Sequence, residues 1–148
     1  MIRYVGVDFD KARQAAMEWG GGTHNFVASN GRGLATCART PARLVWVVNP
    51  VVETYRVDGK PARPASKWDT LPHGERYAAV AYTTLDGHLL RGEERVAVVQ
   101  ESKDCVMAHI VSVSRGNGLI GRLVYPFIGP MQRRFFRAQL DAIADHCR

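Results

Sequence analysis

The sequence is poor in cysteine, with three in 148 residues, at positions 37, 105 and 147. An odd number without short spacing argues against a disulfide framework and against the paired cysteines of a zinc knuckle. We expect small thiols that are buried or half-buried. His88 could approach His73 and the carboxylates Glu93 and Glu94, but no H-x-x-x-H spacing supports a metal site. We therefore expect no metal and no cofactor.

Long hydrophobic runs are also lacking. The run Leu44 to Val48 is among the longest and is far too short to cross a bilayer. The first residues, Met1 to Tyr4, lack the apolar core of a signal peptide, so we expect a cytoplasmic protein without a membrane span. Apolar residues make up 46% and charged residues 23% of the chain, which does not favour disorder.

Acidic residues are fewer than basic ones, 14 against 20, which gives a net charge of +6. Such an excess fits an anionic partner, and a basic nucleic-acid-binding domain remains an alternative. The arginines are spread along the chain, however, with much of the excess near the C-terminus, so nucleic acid is not our first expectation. The length is typical of one domain, which we place at residues 1–148.

The first half of the chain predicts short elements separated by turn-forming residues. In chain order we expect a strand at 2–7, a helix from Asp8 or Asp10 to about Trp19, a glycine-rich loop at 20–30, a short helical segment at 34–40, and two strands at 44–48 and 51–57 separated by Pro50. Residues 61–74 are assigned to a loop or irregular edge. The glycines do not match a Walker or dinucleotide fingerprint.

The second half predicts an antiparallel meander followed by a long helix. Three strand patterns cover 77–84, 93–101 and 105–114, joined by short connections. In the third strand neither alternating face is plainly polar, which favours a sheet covered on both sides or lining a cavity. A helical period begins near Leu119, with Pro126 and Pro130 predicting a kinked or segmented start.

From Phe127 onward this helix is amphipathic. Phe135 belongs to its apolar arc, whereas Arg133, Arg134 and Arg137 belong to the opposite, solvated one. Because a helix of this length cannot be held by its own hydrogen bonds, it must lie across the sheet. These patterns predict an α+β fold.

The connection between the first two strands of the meander resembles the signature Y-G-T-L-P-G-H-x-x-x-G-E-E of an uncharacterised bacterial and plant family, known as domain of unknown function nineteen-ninety. The matching residues are Tyr82, Thr84, Leu85, Gly87, His88, Gly92, Glu93 and Glu94, whereas Thr83 and Asp86 depart from the pattern. Further landmarks of the family resemble Ser114-Arg115, Tyr125-Pro126 and Gln132-Arg133-Arg134-Phe135.

The resemblance implies membership of the START-like, helix-grip superfamily that includes the birch-pollen allergens. Its members wrap a curved antiparallel sheet around a long C-terminal helix and enclose an elongated apolar cavity, which is a common kind of ligand site. The resemblance implies no reaction, because the family has none assigned.

Three signature residues are the candidates for catalysis. His88 has an ordinary pKa near 6.5 and could transfer a proton, or it could fix the turn by hydrogen bonding to the backbone. Glu93 and Glu94 are consecutive on a strand and must face opposite sides, so they cannot act together as a carboxylate pair. We expect one to face the cavity and the other to pair with an arginine.

The ligand contacts expected around this cavity are Tyr82, Thr84, Met107, His109 and Phe135. The first hypothesis is binding of a hydrophobic small molecule, such as a lipid or polyketide. The alternative is a cofactor-free cyclase, isomerase or lyase that uses His88, Glu93 or Glu94 for proton transfer in the same cavity. The sequence leaves the oligomeric state open.

Overall fold

In the computed structural model, the described residues are 1–18, 25–29, 34–39, 46–58 and 76–148. Within these ranges the chain forms seven strands and two helices. Their bounds are β1 Ile2–Gly6, α1 Phe9–Met17, β2 Asn25–Ser29, β3 Leu34–Arg39, β4 Trp46–Asp58, β5 Arg76–Thr84, β6 Leu90–Ser102, β7 Cys105–Gly116 and α2 Gly118–His146. The fold is therefore α+β, as the patterns predicted.

All seven strands belong to one antiparallel sheet in the order β1-β7-β6-β5-β4-β3-β2. The meander β5-β6-β7 is confirmed and lies in its middle. Strands β1 and β2 are its opposite edges, yet helix α2 contacts both of them as well as β7. Only a sheet that curls around the helix allows this, which agrees with the twist that strands impose on large sheets.

The main core lies between the inner, helix-facing side of the sheet and the two helices. Asp8 caps α1 by accepting from the N–H of Lys11 at 3.1 Å, and α1 buries Phe9 and three alanines against the sheet. Helix α2 contributes Leu140 and Ile143 to the same cluster. A second, smaller cluster of Tyr77, Ala79, Ala97 and Val99 lies on the outer side.

Two of the local structures predicted before residue 41 are wrong. Residues 34–39 form strand β3 and not a helix. Pairing with β2 and β4 satisfies their backbone hydrogen bonds, whereas a helix of about seven residues is too short to be stable by itself. Asn25–Ser29, inside the expected loop 20–30, forms strand β2. The remaining residues of that loop, and the expected loop at 61–74, lie outside the described ranges.

Pro50 does not divide β4 into two strands. The first part of β4 pairs with β3, and pairing with β5 begins only at Val51, so Pro50 sits where the strand changes partners. Its carbonyl still accepts from the N–H of Leu85 at 3.1 Å. Proline has no backbone N–H to donate to a neighbouring strand. A sheet tolerates it where the pairing requires no donor from that residue.

Likewise α2 is one helix and not a segmented pair, although it contains Pro126 and Pro130. Both prolines lie on the exposed side of the helix. Water can therefore reach the carbonyls that lose their helical partners.

Candidate functional site

A cavity of about 270 Å³ lies between the inner side of the sheet and α2. The floor and rim come from β3 to β7 and from the β5–β6 connection, and α2 forms the roof. The lining residues are Thr36, Asn49, Tyr82, Thr84, His88, Leu89, Leu90, Gly92, Glu93, Glu94, Ser112, Ser114, Phe127, Ile128, Met131, Gln132, Phe135 and Phe136. The volume is close to the lower end for small-molecule sites.

One row of side chains across three strands forms the polar part of the floor. Tyr82 on β5 is in register with Glu94 on β6, and Glu94 with Ser112 on β7. The roof above them is apolar, made by Ile128, Met131 and the Phe135–Phe136 pair. The cavity therefore has a polar floor and an apolar roof, which suits a ligand with one hydrogen-bonding group.

Glu94 is the most perturbed acid of this site. It is only 6% exposed, and burial raises its pKa to about 8, although the nearby Tyr82 and Gln139 side chains offset part of that rise. Its Oε1 has no hydrogen-bond partner in the described part of the chain. Near neutral pH the side chain is therefore mostly a neutral carboxylic acid, which can donate as well as accept a hydrogen bond.

Tyr82 and Gln139 share this environment. Burial, with the adjacent Glu94, raises the pKa of Tyr82 well above its usual 10, so its hydroxyl stays protonated. Gln139 of α2 is completely buried and lowers the pKa of the nearby Glu94, but within the described ranges neither polar atom of its amide has a partner at full hydrogen-bond geometry. The three side chains form a neutral polar cluster, of which Tyr82 and Glu94 line the cavity.

His88 fixes the β5–β6 connection. Its Nδ1 accepts from the N–H of Leu90 at 2.9 Å, and its carbonyl accepts from the Asn117 side chain at 3.0 Å. Burial lowers the pKa of His88 to about 4, so the ring is neutral at pH 7, with its proton on Nε2. The ring lines the cavity as a hydrogen-bond donor but is poorly placed to act as a base.

The connection and the start of α2 approach so closely that glycine is required. A Cβ at position 121 would overlap the carbonyl oxygen of Leu89, and one at position 116 would lie 2.5 Å from the carbonyl oxygen of Gly121. Gly87 has a φ of 90°, which other residues rarely adopt. Gly116 and Gly121 therefore allow the His88 turn to pack closely against the helix that roofs the cavity.

The structure brings six of the eight predicted site residues to this cavity: Tyr82, Thr84, His88, Glu93, Glu94 and Phe135. Thr84 also accepts from the N–H of Gly92 at 3.0 Å. Glu93 is partly exposed at the rim, and it has no arginine partner among the described ion pairs, contrary to the expected pairing of one glutamate.

Met107 and His109 are the two that the structure places elsewhere. They alternate with the inner-facing Val106 and Ala108, so they belong to the outer side of the sheet. His109 is in register with Ala97 of the outer cluster, burial lowers its pKa, and its Nε2 has no described partner.

Sequence reasoning missed Asn49, Thr36 and Gln139. The first two stand on strands that were misassigned, and only the curling of the sheet brings them to the cavity. Gln139 lies on the apolar arc of α2, and the sequence shows this. A glutamine in such a position predicts a polar neighbour inside the fold, because a buried amide needs hydrogen-bond partners.

A curled antiparallel sheet that holds a polar row beneath a long C-terminal helix, with a cavity between them, defines the class of protein. The chain belongs to the family described as Domain of unknown function (DUF1990), whose profile matches residues 5–142. It is also similar to a UPF0548 protein of Arabidopsis thaliana, at 27% identity over 103 residues. That match covers 70% of this chain and 46% of the relative, so the chain spans about half of its length.

No solved structure matches the chain. Within the described ranges no three His, Cys, Asp or Glu side chains are grouped to hold a metal, and no helix is long and apolar enough to span a bilayer. All three cysteines are free.

Proposed function

We propose that the protein binds a small, largely apolar molecule in the cavity beneath α2, with the ligand's one polar group at the Tyr82–Glu94–Ser112 row. The observation that carries the proposal is the buried Glu94 on the cavity floor beneath an apolar roof, with an Oε1 that has no partner in the described part of the chain. An unmet carboxylic acid in such a place costs stability unless a partner satisfies it. A ligand carbonyl or hydroxyl would supply that partner.

Native mass spectrometry of protein purified from its host tests this proposal. We expect a bound small molecule that denaturation releases. Ser112→Leu should abolish the bound mass, because the larger side chain fills the cavity floor. Val113→Leu is the matched control, since Val113 lies on the outer side of the same strand and is exposed. An empty unmodified protein, or equal loss in both variants, would contradict the proposal.

A second candidate is proton transfer by Glu94 to or from a bound substrate. A carboxyl group with a pKa near 8 can exchange protons near neutral pH, and such shifted groups are common in active sites. Once the ligand is identified, Glu94→Gln should keep binding and lose about a hundredfold or more in turnover. If Glu94→Gln and the surface control Glu101→Gln turned over substrate equally fast, proton transfer by Glu94 would be rejected and only the binding role would remain.

The helix-grip, START-like assignment belongs to the same proposal. The sheet that curls around the C-terminal helix, and the cavity between them, support it. An experimental structure with ligand bound elsewhere than beneath α2 would count against both the assignment and the function.

A further inference from the structure

The first turns of α2 expose an apolar surface that the fold does not use. Leu119 is 87% exposed, Ile120 69%, Leu123 77% and Phe127 75%. At about 100° per residue these four side chains fall within an arc of roughly 100° on one side of the helix. We call them the apolar tip. Side chains this exposed protrude from the surface, whereas the residues of a groove are partly packed.

Basic residues surround the apolar tip. Arg91, Arg115 and Arg122 line one recess of about 320 Å³ beside the start of α2, together with Asn117 and Tyr125. None of these arginines forms an ion pair among the described residues. The first N–H groups of α2 add positive potential, since the Asn117 side chain bonds to His88 and does not cap the helix.

The same charge pattern continues along the helix. Between Cys105 and Leu140 the sequence has five arginines and no acidic residue. Arg133, Arg134 and Arg137 are exposed and follow the apolar tip on the same side, at the 100° spacing. One side of α2 thus presents apolar side chains at its start and arginines both beside and beyond them.

From this arrangement we infer that the start of α2 docks on an anionic phospholipid bilayer. The apolar tip inserts among the acyl chains at the interface, and the arginines contact the phosphate and carboxylate headgroups. Protruding leucine and phenylalanine beside clustered arginine is the combination that interfacial helices use, and each basic residue near an anionic leaflet adds to the attraction. A helix that lies on the surface in this way does not span the membrane.

The position of Phe127 connects this surface to the cavity. Its side chain is part of the apolar tip and also lines the cavity. Docking would therefore place the cavity mouth at the bilayer, where apolar molecules dissolve. The inference itself does not depend on ligand binding, because Leu119 and Leu123 do not line the cavity.

Vesicle co-sedimentation of the full chain tests the inference, with phosphatidylcholine alone and with phosphatidylcholine containing about one-third phosphatidylserine. We expect binding to the anionic vesicles at least about tenfold stronger than to the neutral ones, weakened by added NaCl. Leu119→Asn with Leu123→Asn should reduce binding about tenfold or more. Ile2→Asn is the control, since Ile2 is an exposed apolar residue on β1.

The role of the arginines is tested with the double variant Arg115→Gln and Arg122→Gln, which should reduce the preference for anionic vesicles about tenfold. Lys11→Gln with Lys103→Gln removes the same charge outside the recess at the start of α2 and should change binding little. The unfolding midpoints of all variants are measured to show that each remains folded.

Three results would overturn the inference. The first is equal vesicle binding by the apolar-tip variant and unmodified protein, and the second is no binding to anionic vesicles at all. The third is oligonucleotide binding that needs Arg115 and Arg122 but not Leu119 and Leu123, which would assign the arginines to nucleic acid. Self-association lost in the apolar-tip variant, without vesicle binding, would assign the tip to a second copy of the chain.

Discussion

Two neighbouring glutamates in the signature have opposite environments, because consecutive strand residues face opposite sides of a sheet. Glu94 is buried on the inner side beside Tyr82, whereas Glu93 remains partly exposed at the rim. Burial alone converts Glu94 from an ordinary surface acid into a group that holds its proton at neutral pH. The sequence shows that the two carboxylates face opposite sides, and only the structure shows which of them is buried.

Glu94→Gln should change how stability depends on pH. Folded Glu94 keeps its proton up to a pKa of about 8, whereas the ordinary value is 4.5. Between these values the folded state binds more protons than the unfolded state, so the free energy of unfolding falls as pH rises. Glutamine cannot ionise, so from about pH 5 to about pH 9 the variant should gain on the order of a few kcal/mol relative to unmodified protein.

Chemical denaturation at several pH values measures this difference. The pKa values of His88 and His109 are lowered, so these residues act in the opposite sense. The free energy of unfolding that their neutral rings contribute is lost as pH falls below about 6.5. The comparison of variant with parent cancels their contribution. Asp104→Asn, which removes an exposed carboxylate, should follow the parent curve, and identical curves for Glu94→Gln and parent would show that Glu94 is not perturbed.

At the scale of elements, the helix that roofs the cavity is held by close contact with the β5–β6 connection. Gly121 touches the Leu89 carbonyl, Asn117 bonds to His88, and Gln132 donates to the Ser114 hydroxyl at 3.1 Å. The β5–β6 connection and the start of α2 are therefore parts of one packing arrangement. Periodicity alone reveals the helix but not what its first turns touch.

Gly121→Ala should be strongly destabilising, because the new Cβ would overlap the Leu89 carbonyl. We expect a loss of about 1 to 3 kcal/mol, typical of overpacking against rigid backbone. Gly129→Ala is the control in the same helix. There the nearest atom is the end of the flexible Arg133 side chain at 3.6 Å, so the better helix propensity of alanine should stabilise by up to about 1 kcal/mol.

Urea denaturation of both variants measures the contrast. Equal effects of the two substitutions would mean that α2 is not seated on the connection in this way. Gly121→Ala should also weaken ligand binding in the cavity, since any shift of the helix moves the roof residues relative to Glu94.

For the whole molecule, the curling of the sheet is the property from which the site follows. Helix α2 reaches both edge strands, and the cavity is what the inner side and the helix leave unfilled between them. The central strands are the most deeply buried, since Val96, Ala97, Val98 and Val99 of β6 are all fully buried. Stability is therefore concentrated in the meander.

Amide hydrogen exchange followed by mass spectrometry should show this distribution. We expect β6 to exchange at least about tenfold more slowly than β1, because β6 is bonded to neighbours on both sides, whereas among the described strands β1 pairs with β7 alone. Equal protection of the two strands would indicate that the sheet opens as one unit.

Much of the second half was predictable from local patterns. Strand patterns predicted β5, β6 and β7, and a helical period with an apolar arc predicted α2. These predictions succeeded because the spacing of buried residues in each element matches its secondary structure. The signature also located six cavity residues. Strand β3 was not predictable, since Leu34, Ala35 and Cys37 tolerate a helix and only their neighbours in the sheet impose a strand.

By itself the sequence determined the α+β class, the central meander, the amphipathic helix and the neighbourhood of the site, because each depends on local periodicity and composition. The tertiary structure alone decided which glutamate is buried, that Met107 and His109 lie outside the cavity, and that Asn49 and Thr36 lie inside it. Those outcomes depend on how a sheet curls around a helix, and that is set by packing between residues far apart in the chain.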